Sequence, residues 1–477
     1  MSITNKFSFQ TLRTVGIVLF AASLALAIGI FGASQPEQPF LGLAIIFACA
    51  IAITIVRYPY WGIIATIATL PILEILPPIP FANSAVALIG GVTLGAFVLE
   101  RVLFKKPFGK LSAIHFAALV LIGWMLVTNP DAALLDDDRN WFFTYIQLWL
   151  LIWLTGKLLT TPQRQRALMW TFAGLCVLSA LFAITEGTIG PTWRTSARAA
   201  GLAGGDNGAA RYFLVGFIFL TYLSTQTNRQ WWLRLLTVIG SAIVLVGVAF
   251  TLSRTGFILA VTAIGLLLIQ RTSRRQRIGT VILLLVLVVG GIALPDTYWQ
   301  IIFSSMSDIQ TGGGTIGLRY GLWQAGFKMW LDHPLMGVGI GQFDNYLPQY
   351  GAGLVPTYHY NLGAHNLYIS MLAETGLVGL LLFGGLIATV LRALFRAVRS
   401  LDTEKRALAQ VWLMVLIVIL VGGLTKHDQY DKLLWLIFGI GAALSSSEFM
   451  QTENAVIPRD ESVPLPLSQE VETASSA

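Results

Sequence analysis

The sequence predicts an all-α polytopic membrane protein with about 12–14 transmembrane helices and one large external loop containing short helices. Three observations predict it. Only 12% of the 477 residues are charged and 55% are hydrophobic, with mean hydropathy +0.72. A soluble domain carries about 25% charge. Apolar runs long enough to cross ~30 Å of hydrocarbon recur along the chain. Lysine and arginine cluster in alternate connections between those runs, as cytoplasmic loops require.

In order, the runs fall at 14–33, 40–56, 60–77, 84–99, 112–128, 141–156, 167–186, 212–226, 233–252, 255–270, 278–295, 366–391, 407–424 and 433–446. The first has a basic flank, Lys6 and Arg13, and could pass for a signal peptide. The many spans that follow favour a retained helix. Cys49 and Cys176 both sit inside apolar runs, so they read as small buried hydrophobes rather than as a disulfide or metal pair. The organisation expected is an N-terminal transmembrane bundle over 1–186, a second transmembrane region over 187–446 with a large loop at 296–365, and a disordered tail over 447–477 rich in Pro, Ser and Glu.

Charge sets the orientation. The strongest clusters, RTSRRQR at 271–277 and the basic residues of 392–406, flank the segment 278–391. With both clusters cytoplasmic, loop 296–365 lies outside and both termini lie inside. Nine cations remain outside: Arg139, Arg194, Arg198, Arg211, Arg254, Arg319, Lys328, Lys426 and Lys432. A loop placed outside for topology alone should avoid arginine. Arginine offers a planar fork of donors suited to phosphate, so the set points to an anionic ligand at the outer face. Each arginine taken singly could equally pair with an acid or a phospholipid headgroup. The pI near 9.4 follows from this topology and does not call for nucleic acid.

The stretch AHNLYISMLAETGLVG, Ala364 to Gly379, opens an apolar run with His-Asn and keeps two glycines. A helix starting at His365, at about 100° per residue, groups Tyr368, Leu372, Gly376 and Gly379 near the histidine and turns Glu374 away. Small residues let membrane helices pack closely, so the glycines would fix the height of His365. The alternative is an interfacial histidine with incidental packing glycines.

This stretch resembles the pattern of bacterial O-antigen ligases and O-antigen polymerase-type proteins: His, then Asn, Ser or Gln, nine residues, Gly, two residues, then Gly, Thr or Tyr. His365, Asn366, Gly376 and Gly379 supply it. RAAGLAGGDN (198–207), TLSRTG (251–256) and LRYGLWQAGFKMWLDHPLMGVGIGQF (318–343) resemble further segments of that family, in the expected order. The resemblance covers about 190–390; the N-terminal half carries no such motif, and 14 spans exceed the usual 12.

The resemblance implies a fold like that of C-type glycosyltransferases. It implies transfer of a glycan from an undecaprenyl-diphosphate-linked donor to an acceptor hydroxyl at the outer face of the cytoplasmic membrane, in polysaccharide or lipopolysaccharide biosynthesis. The acceptor is a lipid, glycan or protein; no cofactor, metal or nucleic acid is expected. By match, Arg198 and Arg254 clamp the diphosphate, Arg319 is a second phosphate or glycan contact, and His365 is the general base. A histidine of ordinary pKa sheds its proton between about pH 6 and 7. Asn366 orients the acceptor or His365. Asn207 lies in a glycine-rich run that lets backbone approach the glycan. Arg211, His427 and Asp428 are further lining candidates. His333, before Pro334, reads as a helix terminator. Tyr346, Tyr350, Tyr358 and Tyr360 could stack on sugars or anchor at the interface. Asp136 to Asp138 read as a solvated loop.

Two other functions stay open. A polymerase would use the same donor and join one lipid-linked glycan to another. A small-anion transporter would need ionisable residues at mid-membrane depth, and Glu74, between Pro71 and Pro77, is the one feature of that kind.

Overall fold

The computed structural model describes residues 49–75, 85–129, 141–189, 199–226, 230–270, 314–427, 429–446 and 449. The expected spans 14–33 and 278–295, the first part of the large loop, Asp136 to Asp138, Arg198, Asp428 and nearly all of the tail lie outside these residues. Among the described residues the regular structure is helical, with no strand. Residues 49–57 are helical. Then come α1 (Tyr60–Ala68), α2 (Ala85–Leu103), α3 (Ala113–Thr128), α4 (Trp141–Leu158), α5 (Pro162–Ile189), α6 (Asp206–Gln226), α7 (Trp231–Phe250) and α8 (Arg254–Gln270). After them follow α9 (Gly314–Asp332), α10 (Phe343–Tyr350), α11 (Leu367–Val398), α12 (Thr403–Gly422) and α13 (Lys432–Ser445). Helices α2, α5, α6, α7, α11 and α12 are long and apolar enough to cross a membrane, and α3, α8 and α13 are shorter apolar helices. The chain is an all-α polytopic membrane protein.

The run expected at 60–77 is not one helix. It ends as α1 and continues as a 3-10 segment, Leu70–Ile75, with non-helical backbone at Ile72. Glu74 is exposed there, and its N–H donates to the Leu202 carbonyl at 3.0 Å. It lies at a helix end and not at mid-depth.

Two helices form the middle. In α6 every residue from Ala209 to Leu223 is buried, and in α13 every residue from Leu433 to Leu444. A helix apolar all round belongs inside a bundle. Helix α6 packs on α5, α7, α8 and α12; α13 packs on α4, α11 and α12. Successive spans run antiparallel, so the connections 199–206, 250–254, 333–367 and 422–432 gather at one end. The opposite end carries Lys157, which donates to the Lys110 carbonyl, and the Arg166–Glu404 ion pair. The large loop is folded over the first end. Its own small core joins Leu322, Ala325 and Met329 of α9 to Phe343, Leu347 and Tyr350 of α10.

Helix α11 departs from the expected phase. It starts at Leu367, with Asn366 as N-cap, and His365 stands before it at φ +48. It also breaks at Gly376 (φ +67, ψ −171). A break inside a membrane helix frees backbone groups that lipid cannot satisfy. Here four of them find partners in other elements. Val338 N–H donates to the Ala373 carbonyl and Gly339 N–H to the Glu374 carbonyl, both at 2.9 Å. The Trp124 indole takes the Thr375 carbonyl at 2.9 Å, and Leu377 N–H turns to the Pro334 carbonyl at 2.9 Å. The His-Pro-Leu-Met-Gly turn after α9 therefore interlocks with the break. A Cβ on Gly376 would run into the Leu335 carbonyl and Met336 N. The glycine does pack closely, as its type suggested, but against loop backbone. Gly379 faces Trp124 of α3.

Gly376→Ala should therefore lose at least about 2–3 kcal/mol of stability, from positive φ and collision together. Gly384→Ala, with nothing within 4 Å of the added carbon, should stay within about 1 kcal/mol. Thermal unfolding of the two variants in detergent checks the contrast; equal midpoints would contradict the interlock.

Candidate active site

Five segments meet at the folded-over end. The first is the start of α6. Asn207 accepts from the Ser253 hydroxyl at 2.7 Å, and Ser253 in turn accepts from Gly256 N–H at 3.0 Å, capping α8. The turn before α8 is the second segment. Leu252 there sits at φ +48, a strained conformation for a branched residue, costing about 1–3 kcal/mol. The turn presents half-buried Arg254. Thr255, next to it, donates to Thr425 at 2.9 Å, which ties the arginine turn to the connection between α12 and α13.

The third segment is α9. The Trp323 indole donates to the Ala364 carbonyl at 3.0 Å, and Gly326 lets α9 approach Ile369 of α11. Arg319 is four residues before Trp323, on the same helix face, so it comes to the residue after Ala364, His365.

The fourth segment is the head of α11. The Asn366 carboxamide oxygen accepts from Tyr368 N–H at 2.9 Å and Ile369 N–H at 3.1 Å, and its nitrogen donates to the Leu424 carbonyl at 3.1 Å. Leu367 N–H donates to the Gly423 carbonyl at 2.7 Å. Asn366 is 7% exposed and is engaged as a cap and clamp. Of the two roles expected for it, the bonds favour orienting His365 over touching an acceptor.

The fifth segment is 422–432. The His427 ring lies edge-on to His365, 5.2 Å between centroids, and Gly363 leaves room for it. Tyr430 follows at 6.1 Å from His427, with Trp141 of α4 5.0 Å beyond. Burial, then His427, Arg319 and Lys426, push the His365 imidazole down to about 4. The ordinary histidine value expected from sequence is corrected accordingly: burial first, and the neighbouring charges after it, keep the ring neutral at physiological pH.

Arg211, expected as a substrate contact, has another partner. It is 2% exposed and donates to Asp431 at 2.5 Å. Asp431 also caps α13, accepting from Leu433 N–H at 2.7 Å and Leu434 N–H at 3.3 Å. Burial opposes its charge, yet Arg211, Lys426 and these N–H groups hold its carboxyl below the usual range. The pair locks the two central helices together beside the site. His333 is exposed just past α9, as a helix terminator should be. Tyr346 and Tyr350 pack on one another at 6.4 Å within the loop, while Tyr358 is 77% exposed.

The sequence reading counted Lys426 among the outer cations without giving it a role, and its charge acts on both His365 and Asp431; Asp431 itself was overlooked. The signal was present in KHDQYDK: Asp followed by an apolar run is a helix start, and a dense ionisable stretch beside a fully buried helix needs partners. Ser253 lay in TLSRTG, but its partner Asn207 could not be read; Thr425 had no signal, since hydroxyls that join distant turns have no spacing to read. Among the described residues no three His, Cys, Asp or Glu side chains are grouped to hold a metal ion.

Fold and site together describe a polytopic membrane protein with a cation-ringed histidine at one end of its bundle. Residues 239–384 match the O-antigen ligase family. The match runs from α7 through the break in α11. The segment with Lys426, His427 and Asp431, and the α6 residues Asn207 and Arg211, lie outside it but pack against it. No curated protein matches the chain.

Arg211→Met leaves Asp431 buried without its guanidinium. It should cost about 3–5 kcal/mol, read as a lowered unfolding midpoint in detergent. A midpoint unchanged from wild type would return Arg211 to the pool of ligand-binding residues.

Proposed function

We propose that the chain transfers a glycan from an undecaprenyl-diphosphate-linked donor to an acceptor hydroxyl, as a ligase, at the outer face of the cytoplasmic membrane. The coarser statement rests on the family: this is an O-antigen ligase/polymerase-type membrane protein, of a glycosyltransferase-like class. The finer reading rests on one observation. His365 is neutral and half-buried, with His427 at 5.2 Å and with Arg319 and Lys426 acting on it. A neutral base inside a ring of cations suits a reaction in which a hydroxyl loses a proton while a diphosphate leaves.

The orientation follows from charge. The end bearing Lys106, Lys110, Lys157, Arg166 and Lys405 is read as cytoplasmic, which sets His365 outside.

In the proposed step the acceptor hydroxyl gives its proton to His365. Its oxygen forms a bond to the anomeric carbon of the donor sugar. The bond from that carbon to the diphosphate oxygen breaks, and the electron pair leaves with the diphosphate. Arg254, Arg319 and Lys426 take up the negative charge as it grows; Arg198 joins them by its family match. Asn207 acts on the arginine turn through Ser253, and Asn366 acts on His365 through the helix cap. Asp428, beside His427, belongs to the proposed lining.

Liposomes containing the protein, a lipid-diphosphate glycan and a hydroxyl acceptor test the reading. Transfer of one finished glycan supports the ligase; a ladder of lengthening products on the donor lipid means polymerase; no transfer refutes both. His365→Ala should lose about 10²–10⁴ in rate. Arg254→Lys keeps charge but loses the fork, and should lose about tenfold or more.

The pH profile has a worked sign. The active form of His365 is deprotonated and its proton leaves near 4, so kcat/KM should be flat above about pH 5.5 and fall as pH drops toward 4. Bound diphosphate offsets Arg319 and Lys426, so the limb in kcat should lie higher than the limb in kcat/KM. Both limbs should vanish in His365→Ala. A kcat/KM limb centred on pH 6–7 would contradict the cationic ring.

A further inference from the structure

Glu374 was turned away from His365 in the sequence-based phase, and no step above uses it. The break in α11 changes its surroundings. It is 5% exposed, and a carboxylate this deep in a membrane helix demands partners. Its backbone carbonyl accepts from Gly339 N–H at 2.9 Å. The backbone N–H groups of Gly341 and Phe343 act on its carboxyl group. Gln429 Nε2 reaches the same carboxylate at 3.4 Å.

The glycines explain how one side chain can gather these groups. Gly337, Gly339 and Gly341 have φ of +70, +104 and +74, a conformation that favours glycine and lets the loop backbone lie against the Glu374 segment. Each glycine also abuts a different element: Gly337 the backbone of 373–376, Gly339 Asn129 at the end of α3, and Gly341 the Trp141 indole of α4. Asn129 Nδ2 donates to the Ile340 carbonyl at 3.2 Å.

Gln429 is the second link. It is 3% exposed, and its carbonyl accepts from the Trp435 indole of α13 at 2.8 Å. It stands two residues after His427 and one before Tyr430, whose ring packs on both His427 and Trp141. One carboxylate thus grips the glycine loop on one side and the His427 segment on the other, nine residues after His365.

We propose that Glu374 is a positioning residue: through the glycine loop and Gln429 it holds His427 and the head of α11 in register, and so keeps His365 enclosed beside its cations. This rests on the proposed function only where turnover is the readout. The carboxylate touches no substrate in this assignment, so its acceptor geometry matters and its charge does not. In Glu374→Gln the amide oxygen can still accept from the loop. Gln429, whose Oε1 has no partner among the described residues, can turn to accept from the new amide.

The test reads His365 directly. Wild type, Glu374→Ala, Glu374→Gln and Gln429→Ala are purified as monodisperse protein and treated with diethylpyrocarbonate. Carbethoxylation of His365 and His427 is followed by mass spectrometry, and turnover is measured in parallel. Expected is labelling of His365 at least about fivefold faster in Glu374→Ala, with near-wild-type rates in Glu374→Gln. Gln429→Ala should expose His427 more than His365. Transfer by Glu374→Ala should drop about tenfold or more, with the kcat/KM limb moved up toward the ordinary histidine range, and Glu374→Gln should restore both.

Unchanged labelling in folded Glu374→Ala overturns the proposal. Equal damage in the Gln and Ala variants overturns it too, because the carboxylate would then act by charge or proton. Should Glu374→Ala fail to fold, Gln429→Ala decides alone: unaltered labelling of both histidines sinks the link to His427. Absence of turnover in wild type would instead refute the proposed function and leave the labelling result standing.

Discussion

A membrane helix that breaks must find partners for the backbone groups it frees, because hydrocarbon offers none. Helix α11 breaks at Gly376, and the turn after α9 answers it bond for bond: Val338 and Gly339 give N–H groups, Pro334 gives a carbonyl, and Trp124 of α3 closes the last acceptor. Much else at this end of the molecule depends on that exchange. It fixes the folded loop to the membrane bundle, and with the loop comes α9. Through α9 come Trp323, bonded beside His365, and Arg319 on the same face. Two stretches of chain about forty residues apart thus behave as one structural unit.

The cation-ringed histidine follows from the same constraint. His365 is held at positive φ between a carbonyl tied to Trp323 and an asparagine clamped to α12. Strain of this kind persists only where neighbours over-determine it. The Arg211–Asp431 pair supplies a second fixed point, joining the two fully buried helices and leaving Lys426 beside the histidine. The basic groups at this end therefore differ in task. Arg211 is paired with Asp431. Arg254, Arg319 and Lys426 stand on turns and faces that lead to His365.

Much of the fold was legible because membrane helices declare themselves by composition: the runs at 84–99, 112–128, 141–156 and 407–424 each correspond to a helix within a few residues. Proline and glycine marked the departures without giving their form. Pro71 ended α1 where one span had been read. Gly376 carried a positive φ that no 100° wheel can represent, and the residues on the wheel past it, Gly379 among them, lost their phase. The site was legible in its types, arginines and a histidine kept at an unexpected face. Their partners were not, since an ion pair such as Arg211–Asp431 spans helices whose adjacency no local pattern encodes. The pKa of His365 was missed for the same reason: its neighbours come from three separate segments.

Hydrogen–deuterium exchange of the protein in lipid nanodiscs reaches the interlock most directly. The account predicts that the amides of Val338, Gly339 and Leu377, none paired within a regular helical ladder, exchange as slowly as the amides in the body of α11, because each is bonded across the break. Exchange of Val338 and Gly339 at the rate of an unprotected peptide, with the rest of α11 protected, would contradict it.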